Sequence, residues 1–292
     1  MIISVASGKG GTGKTTIAVN LALSISNVQL LDCDVEEPNA ALFLNPVIAG
    51  KKSAFIPIPV IDKEKCVYCG KCREVCEYNA IAVLPQSEQS KGNILFFSNL
   101  CHGCGACQYL CPENAVTERN REIGIIELGN AGDIQFVHGK LNIGEAMAPP
   151  VIRQVKQYIN PTRTVIIDAP PGTSCPVITA VRGTDYCVLV TEPTPFGLND
   201  LKLAVEAMRK LKILFGVVIN RCDLGDDKTE KYCRDENISI LMRIPFSEEI
   251  ARSYSKGEPI IKLFPEYKDR FIQLFKNITE ERGTGWKEKQ MC

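Results

Sequence analysis

A glycine-rich loop near the start of the chain constrains the fold more than any other stretch. Residues 7–16 read SGKGGTGKTT and follow directly on the apolar run IISVA. Glycines let backbone N–H groups turn inward around an anion, and the first turn of a following helix adds the positive end of its dipole. The loop therefore predicts a phosphate-binding turn with a strand before it and a helix after it.

The spacing within this loop assigns roles to its residues. Gly8, Gly13, Lys14 and Thr15 follow the order G-x-x-x-x-G-K-T of the P-loop. Lys14 is predicted to contact the β- and γ-phosphates, and the Thr15 hydroxyl to bind Mg²⁺. The predicted phosphate cradle comprises Gly10, Gly11, Thr12, Gly13, Lys14, Thr15 and Thr16.

Short apolar runs recur along the rest of the chain and alternate with helical patterns. Runs of consecutive apolar residues are typical of parallel strands buried on both faces. The alternation predicts an α/β doubly wound domain with a mainly parallel sheet, and residues 119–150 are expected to join it as edge strands and a loop. The predicted strands are 2–7, 28–32, 164–169, 186–192, 215–220 and 238–244, and the clearest helices are 14–26 and 197–211.

A cysteine frame interrupts this alternation. The pattern C-x-x-C-G-x-C-x-x-x-C-x-x-N-A-[IV] occurs at residues 66–81 and again at 101–116. Two copies of one unit predict a small pseudo-symmetric domain at 60–118, inserted between residues 1–59 and 119–292 of the α/β domain.

Charge and composition exclude several classes of function. Lys plus Arg and Asp plus Glu each number 34, so the basic excess of a nucleic-acid binder is missing. No apolar run reaches the length of a membrane span, and the tail GTGWKEKQMC lacks the apolar stripe of a membrane anchor. Fourteen cysteines without an export signal indicate metal or redox chemistry in the cytoplasm.

The spacing C-x₂-C-x₂-C-x₃-C in both copies resembles that of bacterial ferredoxins with two [4Fe–4S] clusters. In that arrangement three cysteines of one copy share a cluster with the fourth cysteine of the other. One cluster would take Cys66, Cys69, Cys72 and Cys111, and the other Cys101, Cys104, Cys107 and Cys76. Glu77 departs from the pattern, because a proline follows the fourth cysteine only in the second copy. The alternative metal is zinc, which usually takes two separated C-x₂-C pairs.

The second lysine of the glycine loop points to a particular branch of P-loop proteins. GKGGTGKTT resembles the deviant Walker A loop of the MinD/ParA/Mrp-type ATPases, a group that includes the nitrogenase iron protein. The resemblance implies that Lys9 reaches across a nucleotide-sandwich dimer to the phosphates of the partner. The alternative is a solvated surface lysine.

Further stretches match the same family. DCDVEEPN (32–39) resembles its switch I and VIIDAPPG (165–172) its switch II. The resemblance implies that Asp34 orients the attacking water, while Asp32 and Asp168 serve the magnesium site. Aspartates that end a strand also serve as turn formers or helix caps, which is the competing interpretation. The adenine-binding positions of the family correspond to Asn220, Arg221 and Pro245.

Together these features predict an ATP-binding and ATP-hydrolysing switch that carries two [4Fe–4S] clusters. We expect an ATP-dependent homodimer, or a heterodimer with a related ATPase, that serves a metallocofactor carrier or a redox partner protein. The alternatives are an ATP-gated electron donor like the nitrogenase iron protein and a non-enzymatic positioning protein with structural clusters. Neither nucleic-acid binding nor a direct membrane anchor is expected. Among the remaining residues, Cys187 is expected in the core, and His102 and His138 at the surface.

Overall fold

The chain forms two compact units. The computed structural model describes residues 1–86 and 92–289, with the side chains of the last helix described as far as residue 283. The larger unit comprises Met1–Lys52, Ile126–Lys140 and Ile152–Cys292, and the smaller one Ser53–Ile125 and Leu141–Val151. The smaller unit contains the proposed insertion 60–118 and extends beyond it on both sides. The assignment of that insertion as a ferredoxin domain stays a prediction.

The elements follow one another in the α/β manner expected for the larger unit. The strands are β1 Ile2–Ala6, β2 Val28–Asp32, β3 Val47–Ile61, β4 Ile81–Leu84, β5 Asn93–Phe96, β6 Val116–Ala131, β7 Ile134–Leu141, β8 Thr164–Asp168, β9 Tyr186–Thr191, β10 Leu214–Asn220 and β11 Ile240–Ile244. The helices are α1 Lys14–Ser24, α2 Ala40–Leu44, α3 Lys71–Glu74, α4 Ala106–Tyr109, α5 Ala148–Lys156, α6 Cys175–Val181, α7 Pro195–Leu211, α8 Lys228–Asp235, α9 Glu248–Ser255, α10 Ile260–Leu263 and α11 Glu266–Lys289, with a 3₁₀ turn at Ser98–Leu100.

One sheet of nine strands has the order β11-β10-β9-β1-β8-β2-β7-β6-β3, and β4 and β5 form a separate antiparallel pair. Every neighbouring pair from β11 to β7 is parallel. The mainly parallel α/β sheet predicted from the apolar runs is therefore confirmed. Because parallel strands end at the same edge, the segments that follow β1, β2, β8, β9 and β10 converge there.

One strand of this sheet, β3, was not predicted from the sequence. Residues 119–150 do contribute β6 and β7, as expected, but the end of the sheet order is β3. β3 contains Pro57 and Pro59, and apolar and polar residues do not alternate regularly along its sequence. Proline cannot donate to a ladder, so a strand rich in proline is tolerated where it has a neighbour on one side only.

The long helix α11 contributes to the main core. Phe271, Leu274 and Ile278 are fully buried in one cluster with Ile17 and Leu21 of α1. Phe275 packs against that cluster and is partly buried. The apolar residues of this helix therefore pack on their own domain. None of the described helices combines the length and apolarity that a membrane span requires.

Candidate functional site

The predicted P-loop residues line a cavity in the larger unit. Its volume is about 460 Å³, and it lies at the N-terminal end of α1. The cavity brings together residues from five separate parts of the sequence, as convergence at one sheet edge predicts. The predicted residues that line it are Gly10, Gly11, Gly13, Lys14, Thr15, Thr16, Asp34, Asn220, Arg221 and Pro245.

Two glycines of the loop have no substitute. Gly13 has φ +97°, and a Cβ atom there would lie 2.7 Å from the Asn220 amide nitrogen. A Cβ atom on Gly8 would lie 2.4 Å from the carbonyl oxygen of Asp200. At these two positions the loop backbone lies against its neighbours with no room for a side chain, whereas the space around Gly10 and Gly11 is open.

Asn220 holds the loop in place. Its side-chain amide donates a hydrogen bond to the Thr12 carbonyl at 2.8 Å, and its amide oxygen accepts one from the Arg221 N–H at 3.0 Å. Both ends of the amide are therefore engaged with the protein. The sequence had predicted only a contact with the base.

This bonding changes what is expected of an Asn220→Ala variant. The unmodified chain is expected to prefer ATP to GTP, but the variant should lose affinity for both nucleotides, by about 3- to 10-fold, since a loop hydrogen bond is lost. Titration calorimetry with each nucleotide measures the loss. A decrease confined to ATP would show that Asn220 acts through the base instead.

A buried pair of aspartates lies beside the loop. Asp32 and Asp168 are register partners on β2 and β8, and both side chains are fully buried. The two oxygens of Asp32 accept hydrogen bonds from the N–H groups of Asp34 at 3.1 Å and Ala40 at 3.0 Å. Burial, together with the charge of Asp168, raises the pKa of Asp32 well above its usual range.

Asp168 is bonded differently from Asp32. Among the described residues, neither carboxylate oxygen of Asp168 has a partner at hydrogen-bond geometry. Burial raises the pKa of Asp168 to about 7, against the opposing effects of the Thr15 hydroxyl and the Lys14 charge. The hydroxyl of Thr12 is likewise buried and unpartnered within that part of the chain. Unsatisfied oxygens in a buried site are the donor set that a hard cation prefers.

Asp34 lies on the wall of the cavity itself. Burial raises its pKa to about 6, while the charge of Lys14 lowers it. Asp34 and Lys14 both line this cavity. A carboxylate in this position can accept a proton from, or orient, a water molecule.

Lys9 lies outside this lining and contacts a residue that the sequence analysis did not single out. Its Nζ atom is 3.5 Å from Oε2 of Glu192, and its side chain is 34% exposed. The other oxygen of Glu192, Oε1, is 2.6 Å from Nη1 of Arg221. Glu192 directly follows β9 and so stands at the edge where the other site residues converge. An acidic residue at the carboxyl end of a strand was the sequence signal that identified Asp168, and Glu192 carries the same signal.

The smaller unit groups the cysteines of the duplicated frame into two sets of four. One small cavity is lined by Cys66, Cys69, Cys72 and Cys111. Another is lined by Cys76, Cys101, Cys104 and Cys107. Each set combines three cysteines from one copy of the frame with the fourth cysteine of the other.

The surroundings of the two sets repeat each other. Gly70 and Gly105 have φ +82° and +75° and precede the short helices α3 and α4. The Ala80 N–H points to Sγ of Cys76 at 3.3 Å, and the Ala115 N–H to Sγ of Cys111 at the same distance. Within the described residues, no group of three or more His, Cys, Asp and Glu side chains is placed to hold a single metal ion.

Comparison with known proteins places this chain. The CbiA family, the CobQ/CobB/MinD/ParA nucleotide binding domain, matches residues 3–260. The chain belongs to this family. The matched region is therefore a nucleotide-binding domain of the P-loop fold. That its glycine loop and Lys14 bind the nucleotide stays a prediction.

Individual relatives of this CobQ/CobB/MinD/ParA chain cover most of its length. An uncharacterized protein of Methanocaldococcus jannaschii is 32% identical over 273 residues, which is 90% of this chain and 92% of that protein. An iron-sulfur cluster carrier protein of Pyrococcus horikoshii is 25% identical over an alignment that covers 98% of this chain and 89% of the other. The septum site-determining protein MinD of Pyrococcus horikoshii, solved with Mg-ADP, has the same fold, with a TM-score of 0.57 at 19% identity over 97% of both chains.

The P-loop cavity of this family member is also lined by apolar residues that were not predicted from the sequence. They form the end of the cavity beside Pro245, where an aromatic base would find apolar contacts. Tyr254 also contacts Phe43 of α2, with 5.0 Å between ring centroids. No local pattern marked these residues, which are Ile244, Phe246, Ile250, Ala251, Tyr254 and Ile260.

Two histidine predictions have different outcomes. His102 is exposed, as expected, and stacks on Tyr78 with 3.5 Å between ring centroids. It lies beside the second set of cysteines. The expectation that His138 is a surface residue was wrong, because its side chain is 2% exposed and its Nε2 lies 2.7 Å from Glu127. Burial lowers the pKa of His138. Cys187 is fully buried in β9, as expected.

Proposed function

We propose that this chain is an ATP-binding and ATP-hydrolysing switch that carries two [4Fe–4S] clusters for a partner protein. The observation that carries the proposal is the grouping of eight cysteines into two sets of four, with each set drawn from both copies of the frame. The name of the Pyrococcus relative, an iron-sulfur cluster carrier protein, supports it. The service to the partner is delivery of a cluster, a metallocofactor or electrons.

The ATP site would work through positioning and charge. Lys14 and the loop N–H groups bind the phosphates, and Asp34 orients the attacking water. The residues that would hold Mg²⁺ are Thr15, Asp32 and Asp168, and the unpartnered oxygens of Asp168 fit a cation. When bound, Mg²⁺ supplies positive charge against the phosphate oxygens.

The two cysteine sets would each hold one [4Fe–4S] cluster, which when bound takes up and releases electrons. The Ala80 and Ala115 N–H groups already point to sulfur atoms of Cys76 and Cys111. Hydrogen bonds of this kind stabilise thiolate charge and so adjust a reduction potential. The chain would act as an ATP-dependent dimer, with itself or with a related ATPase. The partner would be a metallocofactor carrier or a redox protein.

Iron content tests the proposal directly. Protein purified and reconstituted without oxygen should contain about eight iron atoms and eight inorganic sulfides per chain, because two cubanes require them. Colorimetric iron and sulfide assays, with zinc measured on the same sample, give the count. Stoichiometric zinc and no uptake of iron would contradict the cluster assignment.

A further inference from the structure

The carboxylate of Glu192 lies between two cations that belong to different parts of the proposed mechanism. Its Oε2 faces Lys9 of the glycine loop at 3.5 Å, and its Oε1 faces Arg221 at 2.6 Å. The Glu192 side chain is only 9% exposed. A carboxylate buried to this degree needs a partner, because an unpaired charge there is costly.

The backbone around Glu192 is held firmly. Its carbonyl accepts a hydrogen bond from the Thr194 N–H at 2.8 Å. A Cβ atom on Gly197 would lie 2.3 Å from that carbonyl oxygen, and one on Gly225 would lie 1.9 Å from the carbonyl of Pro193. The two glycines therefore permit two segments of backbone to pack directly against residues 192 and 193.

The two ion pairs are unequal. Arg221 makes the shorter contact, whereas Lys9 makes a longer one and keeps a third of its side chain in solvent. If Lys9 departs, Glu192 retains the charge-assisted bond to Arg221 and is not left unpaired. Removal of the sole partner of a buried charge is strongly destabilising, and the second cation avoids that cost.

We propose that Glu192 is a positioning residue that holds Lys9 on its own chain. Lys9 leaves Glu192 when it binds instead to the phosphates of the nucleotide on a second chain. Arg221 remains as the counter-ion of Glu192 after Lys9 has moved. The inference rests on the proposed function, since a lysine that acts across an interface requires an ATP-dependent dimer. Beyond that function, the inference is that the carboxylate of Glu192 opposes dimerisation, because its ion pair with Lys9 must break first.

The charge of Glu192 can be removed with little change of shape. Glu192→Gln should tighten the dimer of the full cluster-loaded chain in saturating adenylyl imidodiphosphate and Mg²⁺, because two lysines per dimer no longer leave an ion pair. Partly exposed pairs of this kind correspond to about a 3- to 10-fold lower dimer dissociation constant in total. Analytical ultracentrifugation measures it. Glu192→Asp keeps the charge and should stay closer to the unmodified chain.

A double-mutant cycle separates this role from a structural one. In a Lys9→Ala background, Glu192→Gln should bring no tightening, because no lysine remains to be released. A gain of equal size in both backgrounds would show that Glu192 acts on the fold or through Arg221, and would overturn the inference. A dimer that depends on Lys9 but is not tightened by Glu192→Gln would also overturn it and leave the proposed function standing. Absence of any nucleotide-dependent dimer of the unmodified chain would overturn both.

Discussion

Chains carrying Lys9→Ala, mixed with chains carrying Asp34→Ala, should hydrolyse ATP faster than either variant alone. Lys9 lies outside the lining of its own cavity, whereas Asp34 and Lys14 form part of it. In a mixed dimer, one site keeps its own Asp34 and receives Lys9 from the neighbouring chain. That site alone has both groups, so activity should return there.

The size of the effect depends on how fast the intact enzyme is. A cation supplied in trans is worth about 10³–10⁵ in rate in fast phosphoryl-transfer systems, and less in a slow switch. Lys9→Ala should leave nucleotide binding to a single chain largely intact, because Lys14 and the loop N–H groups remain. Differently tagged chains allow mixed dimers to be isolated before the assay. Confirmed mixed dimers that are no faster than the two variants would rule out action across the interface.

Paired cysteine substitutions should remove either one cluster or both, according to which residues are combined. Cys76→Ser with Cys101→Ser affects one set only, so about four of eight iron atoms should remain. Cys76→Ser with Cys72→Ser affects both sets and should leave almost none. Cys72 is closer to Cys76 in sequence but lines the other cavity, which makes this pair a matched control.

The opposite pattern would contradict the exchange of ligands between the copies. If each copy held its own cluster, Cys72→Ser with Cys76→Ser would spare four irons, and Cys76→Ser with Cys101→Ser would remove nearly all. Anaerobic iron analysis and the spectrum of the reduced protein distinguish the two outcomes. Nucleotide affinity serves as the folding control, because the P-loop cavity is lined entirely by residues of the larger unit.

The parallel sheet and the nucleotide loop were predictable because their signals are local. Strands such as β8 and β9 are consecutive apolar runs, and the loop is a contiguous motif between a strand and a helix. β3 was not predictable in this way, since its prolines and lysines carry no strand period. Its position at the end of the sheet order makes such a composition tolerable.

Other parts of the site depend on contacts that no local pattern contains. The role inferred for Glu192 depends on its ion pairs with Lys9 and Arg221, which are far from it in sequence. His138 looked like an isolated polar residue, but Glu127 across the adjacent strand accounts for its burial. Asn220 fits the expected place, yet its bond to Thr12 reveals a role in the loop.

The interleaving of the two cysteine sets has a consequence for the life of the protein in the cell. Each set joins chain segments that are distant in sequence, so metal bound there would act as a cross-link that restricts the unfolded chain. Each set needs cysteines from both copies of the frame. A proteolytic cut between the two copies would therefore divide both sets between the two fragments. The integrity of the smaller unit would thus follow the supply of iron, while the nucleotide cavity is built from other residues. A shortage of iron would therefore affect the smaller unit first, and the nucleotide cavity of the larger unit would remain able to bind nucleotide.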